Sequence, residues 1–279
     1  MTYHPDGSAL LAAVIKAAKP IIRDFRVPQH RRLKADGSPV TATDLAVHEA
    51  LLAWSVEQGL GYIGEEGNGT TSKDYILYVD PLDGTSSFSA GIATVTVAAS
   101  IMKRFNESYR PILSVIYEPL TSYSWIGRPD GTAWLNDGPE GVKLHVDPSP
   151  TQALITTIFP PGPLRELRRV RDRINGNQPH MKHQSCGSLA LCGGLIASGM
   201  THGLIFGGGS AAEVCAMIPI LEGAGATVSD LEGEPLEGFE LGDHKGKVDF
   251  VLPNGFIAAS DSELWRTLYT LVEEERAGV

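Results

Sequence analysis

The sequence predicts an α/β protein whose N-terminal half is α+β and whose C-terminal half is α/β. Three observations lead there. Two helix-type segments open the chain. Turn-separated β-type runs follow, from Tyr75 to Leu135. Beyond Asp147-Pro148-Ser149-Pro150, strand-like and helix-like segments alternate.

The first helix is expected from about Ser8 to Arg26, a stretch rich in Ala, Leu, Val and Ile. The second starts near Thr43, where Val47, Ala50, Leu51 and Trp54 stand at helical spacing and predict its apolar face. Gly59 and Gly61 end it. A short strand is expected at Tyr62 and Ile63, leading into Gly64-Glu65-Glu66-Gly67. Tyr75 to Val79 is β-branched and aromatic and reads as a strand. Further strands are predicted at Thr94–Met102, Ile112–Tyr117, Ser122–Ile126 and Thr132–Leu135. Asn106, Pro111, Pro119 and Pro129-Asp130-Gly131 supply turns between them. Short turns between consecutive strands predict an antiparallel sheet behind the two helices. In the second half, helices are expected at Pro163–Asn175, Ser188–Ser198 and Ala211–Gly223, the last with Pro219 inside it. Ser260-Asp261-Ser262-Glu263 is a capping box that opens a final helix. With no internal repeat and no long linker, the two halves, 1–148 and 149–279, are expected to pack as one unit.

The chain has 279 residues, 42% hydrophobic and 20% charged, a globular rather than a disordered balance. Acids outnumber bases by 33 to 23, giving a net charge of -10. That argues against a nucleic-acid polymer as partner, which needs a basic face, and suits a site that holds cations. No stretch reaches the roughly 18 consecutive apolar residues of a membrane span. Met1 to Asp6 lack the basic and apolar parts of a signal peptide. Cys186, Cys192 and Cys215 fit neither a zinc site nor a disulfide framework, so a reducing cytoplasm is the expected compartment.

The most informative segment is Asp80-Pro81-Leu82-Asp83-Gly84-Thr85. Two carboxylates on so constrained a turn repel each other unless a cation lies between them. Hard divalent ions prefer oxygen ligands, and Mg²⁺ takes one or two carboxylates with waters and phosphate oxygens. Gly84 and Thr85 offer backbone N–H groups to an anion if a helix or turn begins there. Alone, Asp-x-x-Asp would read as a turn. However, Gly64-Glu65-Glu66-Gly67 also places acids just after a strand, and the segment Lys34 to Asp44 ends in a Thr/Asp cluster at a helix start. There Asp44 also suits a helix cap.

These three segments resemble the inositol monophosphatase superfamily, the lithium-sensitive, Mg²⁺-dependent phosphomonoesterases, over most of the chain. The resemblance implies a layered αβαβα sandwich, often homodimeric. It implies metal ligands at Glu65, Asp80, Asp83 and the carbonyl of Leu82. It pairs Thr85 with Asp44 to orient the attacking water, with Glu65 also in the catalytic set and Lys34 in support. Gly84, Thr85, Gly187 and Ser188 match substrate-contacting positions, Ser188 also suiting an N-cap. The second family signature is altered: Ala212 stands for its Trp and Glu213 for its metal-binding Asp. Glu keeps the carboxylate, a choice resembling fructose bisphosphatases, and Glu213 is expected to bind metal. The bland alternative is a helix-start Glu favoured by the dipole. Where the family has a substrate-binding acid upstream of that Asp, this chain has Phe206. Phe206 reads either as a stacking surface for a leaving group or as a core aromatic. Strong preference for inositol 1-phosphate is therefore not expected. His180 and His183 are neighbours without a third metal ligand.

The function implied is hydrolysis of a small phosphorylated polyol, with two or three Mg²⁺ neutralising the phosphate and activating water in a direct in-line attack. A 3′(2′),5′-bisphosphate nucleotidase and a fructose-1,6-bisphosphatase-like enzyme are the enzymatic alternatives. A catalytically weakened cation-binding homologue is the alternative from another class.

Overall fold

The computed structural model of the protein describes residues 5–27, 32–33, 39–136, 141–159, 167–177, 180–208, 211–244, 247–252 and 254–278. Lys34 and the expected helix start at Pro163 lie outside the described residues. The first half runs α1 (Gly7–Ala17), α2 (Lys19–Asp24), β1 (Arg32–Leu33), β2 (Pro39–Val40), α3 (Ala42–Glu57), β3 (Gly61–Gly64), β4 (Gly67–Asn68), β5 (Tyr75–Asp83), α4 (Thr85–Ser89), β6 (Thr96–Phe105), β7 (Ser108–Glu118), β8 (Tyr123–Gly127), β9 (Ala133–Leu135) and β10 (Val142–Lys143). The second runs β11 (Ala153–Ile158), α5 (Arg168–Asn177), β12 (Met181–Gln184), α6 (Leu189–Ala197), β13 (Gly203–Phe206), α7 (Ala212–Ala224), β14 (Thr227–Ser229), β15 (Leu241–His244), β16 (Lys247–Phe250), β17 (Phe256–Ala259) and α8 (Ser262–Ala277).

Five layers result. An eight-stranded sheet of order β10-β9-β8-β7-β6-β5-β3-β4 and a five-stranded sheet of order β12-β11-β13-β17-β14 enclose α6 and α7. On the outer faces α1 and α3 cover the first sheet, while α5 and α8 cover the second. The inner strands β3, β13 and β17 are therefore buried along their whole length. Alternation within a strand still decides which core each residue enters. In β5, Leu77 and Val79 join the outer core, whereas Ile76 and Tyr78 enter the middle one. In β13, Leu204 and Phe206 face the middle core and Ile205 the opposite one. No described helix is long and apolar enough to cross a membrane.

Several expected elements shift for identifiable reasons. The helix from Ser8 to Arg26 is two helices, because Pro20 starts a new one rather than continuing the old. Pro111 is not a turn; it sits inside β7 where the register with β6 shifts, a place where a missing N–H is tolerated. The first sheet is not wholly antiparallel, since β3 runs parallel to β5. α5 extends past Gly176 to Asn177. The buried face of α3 is Thr43, Asp44, Val47, His48, Leu51 and Ser55, while Ala50 is exposed. That face is rotated from the apolar stripe because it carries polar groups inward. The β15–β16 hairpin was not expected, and it pairs outside both main sheets.

Candidate active site

The site forms where β5 ends. Alternation puts Asp80 on the same face as Ile76 and Tyr78, toward the middle helices. A register shift between Asp80 and Asp83 then returns the second carboxylate to the same region. The strand thus continues through the segment expected to be a turn. Asp80 Oδ1 accepts from the Leu82 N–H at 2.9 Å. Gly84 follows in the left-handed region, φ 90°, as N-cap of α4. A side chain there would be strained in φ, and its Cβ would lie 2.6 Å from the Thr94 carbonyl oxygen. The first-turn N–H groups of α4 have no acceptor within the helix.

Asp83 faces the N-terminus of α6. It accepts from Ser188 Oγ at 2.6 Å, the Ala190 N–H at 2.7 Å, the Leu189 N–H at 3.2 Å and Thr96 Oγ1 at 3.3 Å. Ser188 also caps α6 by accepting from the Leu191 N–H at 3.1 Å. Its hydroxyl is buried and bonded to Asp83, so Ser188 caps α6 and links it to the end of β5. Gly187 is exposed, but a Cβ there would come within 2.1 Å of Thr94 Oγ1 and 2.2 Å of Ser87 Oγ. Gly187→Ala is expected to cost about 1–3 kcal/mol by overpacking. Thermal unfolding checks this, with Gly176→Ala as the unobstructed comparison.

The N-terminal turn of α7 brings Glu213 to the two aspartates. Ligand oxygens of Asp80, Asp83 and Glu213 all lie within 4.8 Å of one another. Burial, and then the charges of Glu65, Glu213 and Asp83, push the Asp80 carboxyl far above the usual carboxylate range. Asp83 is also raised by burial, against the pull of its donors. An all-oxygen, multiply acidic set at this spacing fits a hard divalent cation. Glu65 stands just beyond β3, its N–H donating to the Val79 carbonyl at 3.2 Å, close enough to act on Asp80. It is not one of the three carboxylates grouped within 4.8 Å.

Asp44 lies on the buried face of α3 and has two duties. Its Oδ2 accepts from the Thr41 N–H at 2.9 Å and from the Thr41 hydroxyl, which closes the capping box. Its Oδ1 accepts from Thr85 Oγ1 at 3.1 Å. The same Thr85 hydroxyl lies 3.0 Å from the Leu82 carbonyl oxygen, so its proton is shared between two acceptors. Burial raises the Asp44 carboxyl.

Phe206 is 5% exposed and packs in the middle core, because it shares strand parity with Leu204. His180 and His183 join no metal-binding group among the described residues, and His183 Nε2 lies 3.0 Å from Thr157 Oγ1. Sequence reading missed Thr41 and Thr96. Thr41 was legible as a capping-box partner of Asp44, but Thr96 carried no local signal.

The family model described as the Inositol monophosphatase family matches residues 6–277. The chain is 29% identical over 211 residues to "Bifunctional phosphatase IMPL2, chloroplastic" of Arabidopsis thaliana, covering 72% of this chain and 57% of that protein, so it spans little more than half of that relative. It is 25% identical over 284 residues to an "Inositol-1-monophosphatase" of Mesorhizobium japonicum, covering 96% of each. The solved structure of extragenic suppressor protein suhB from Bartonella henselae aligns with a TM-score of 0.80 at 21% identity, over 96% of this chain and 98% of that one.

Proposed function

The chain belongs to the inositol monophosphatase family, whose members hydrolyse phosphoric monoesters, and from that premise we propose a Mg²⁺-dependent phosphatase of a small phosphorylated polyol. The observation that carries this reading is the meeting of Asp80, Asp83 and Glu213 within 4.8 Å beside the Thr85–Asp44 pair. Asp80, Asp83, Glu213, Glu65 and the Leu82 carbonyl would hold two or three Mg²⁺, which supply charge neutralisation at the phosphate and a more acidic water.

The chain's own groups account for the rest. The Thr85 proton is held by Asp44 and the Leu82 carbonyl, which leaves the hydroxyl's lone pairs to accept a hydrogen bond from the attacking water. Burial makes Asp44 the better proton acceptor. First-turn N–H groups at Gly84 and Thr85 suit phosphate oxygens. No side-chain nucleophile is required. The division at 148/149, supporting contacts from Lys34 and Gly187, lithium sensitivity, a homodimer and a cytoplasmic setting belong to the same proposal.

The test is phosphate release with Mg²⁺ across inositol 1-phosphate, fructose 1,6-bisphosphate, histidinol phosphate and adenosine 3′,5′-bisphosphate. Turnover of a polyol phosphate is expected, without a strong preference for inositol 1-phosphate. A polyol-binding acid can discriminate by roughly 10⁴-fold, and no acid occurs between His202 and Ala212. Release from none of the four would defeat the proposal. Glu213→Gln is expected to raise the Mg²⁺ concentration for half-activation by about 10-fold or more. An unchanged Mg²⁺ dependence would reduce Glu213 to a helix-start residue.

A further inference from the structure

The turn that presents Glu65 lies at the edge of its sheet. β4 is a two-residue edge strand, paired with β3 only at Ile63↔Asn68 and Gly64↔Gly67. The Glu65 N–H also donates to the Val79 carbonyl of β5 at 3.2 Å.

Three successive residues of β16, from the other end of the chain, contact this turn and the strand beside it. Lys247 Nζ donates to the Glu65 carbonyl at 3.1 Å. The Asn68 amide donates to the Val248 carbonyl at 2.5 Å. Tyr78 Oη donates to Asp249 Oδ1 at 2.6 Å. Tyr78 is buried, precedes Asp80 on the same face of β5, and meets the buried Phe250 ring edge-on at 4.9 Å. One strand thus grips both the turn bearing Glu65 and the strand bearing Asp80. Lys247 itself is exposed, so its contact with Glu65 is not a by-product of core packing.

We propose that the β15–β16 hairpin is a strap that holds Glu65 in register with Asp80, and that Lys247 is a positioning residue for cation binding. This rests on the reading that Glu65 and Asp80 belong to the cation site. Two physical effects of Lys247 have opposite signs. As a bare positive charge near the acids, it would compete with a cation, and its removal would tighten binding. As a positioning group, its removal loosens Glu65 and weakens binding.

The experiment uses the full chain and Mn²⁺ alone as probe, with binding followed by electron paramagnetic resonance and folding by thermal unfolding in chelator. Lys247→Met is expected to weaken Mn²⁺ binding by about 10-fold, the lower end for residues that orient metal ligands, with little change in melting temperature. Lys247→Arg, which keeps charge and donor, is expected to restore it. Asp249→Ala, which frees the strap from Tyr78, is expected to weaken it by a second route. Unchanged or tighter binding in Lys247→Met would overturn the inference alone, provided Asp80→Asn abolishes binding. Mn²⁺ binding that survives Asp80→Asn would overturn the underlying site assignment as well.

Discussion

Asp80→Asn is expected to cut Mg²⁺-dependent phosphate release by roughly 10³-fold, yet to raise the melting temperature in chelator by a few degrees. The first effect follows from losing a cation ligand. Metal stabilisation of the transition state is worth several kcal/mol, and about 1.4 kcal/mol is tenfold in rate. The second follows from charge. Asp80 is buried and faces Glu65, Glu213 and Asp83. Without a cation, replacing it with a neutral isostere removes repulsion. Asp83→Asn should abolish activity as well but move stability the other way. Asp83 accepts from Ser188, Leu189, Ala190 and Thr96. An amide turns a donor toward donors, and a buried unsatisfied group costs about 1–3 kcal/mol. At about 2–4 °C per kcal/mol for a chain of this size, the loss is several degrees. Calorimetry in chelator distinguishes the two, and equal signs would show that Asp83 is not the anion holding α6. Adding Mg²⁺ at about a hundred times its dissociation constant should stabilise the wild type by about 2.7 kcal/mol. That gain should vanish in Asp80→Asn, and its persistence there would place the cation elsewhere.

Thr85→Val and Asp44→Asn are each expected to lower kcat by about 10²–10⁴-fold with little change in KM, the range for removing a positioned proton acceptor. Thr85→Ser should retain most activity, because the hydroxyl is what Asp44 Oδ1 and the Leu82 carbonyl engage. Asp44→Asn carries an added stability cost of about 1 kcal/mol. Its two oxygens face donors on both sides, Thr41 and Thr85, and an amide can accept on only one. The double variant should be no worse than the poorer single one, since groups acting as a unit are strongly non-additive. Multiplicative losses in steady-state kinetics would mean that Thr85 and Asp44 act separately.

The legible part of this protein is the part written in short-range chemistry. The capping pattern at Thr41–Asp44, the apolar run that delivers Asp80, and the glycine after Asp83 each follow from neighbouring residues. They suffice to place a helix start, a strand and the turn after it around an acidic cluster that could hold a metal ion. The sequence also located Glu213 as a candidate through the family pattern. It misjudged Ser8–Arg26, Pro111 and the inward face of α3, because a proline's effect and a helix's buried face depend on what packs beside them.

What only the tertiary structure decided is which groups meet across the chain. Asp83 and Ser188 are 105 residues apart, and their hydrogen bond joins the end of β5 to the start of α6. Phe206 could face a pocket or a core until its strand was paired on both sides and its parity assigned it to the core. Lys247 and Glu65, 182 residues apart, meet because a hairpin outside both main sheets folds back over an edge turn. Local sequence sets backbone preference and side-chain parity within an element. The distance between two carboxylates, or between a lysine and a carbonyl, is set by how layers stack, and stacking is a property of the whole packed core.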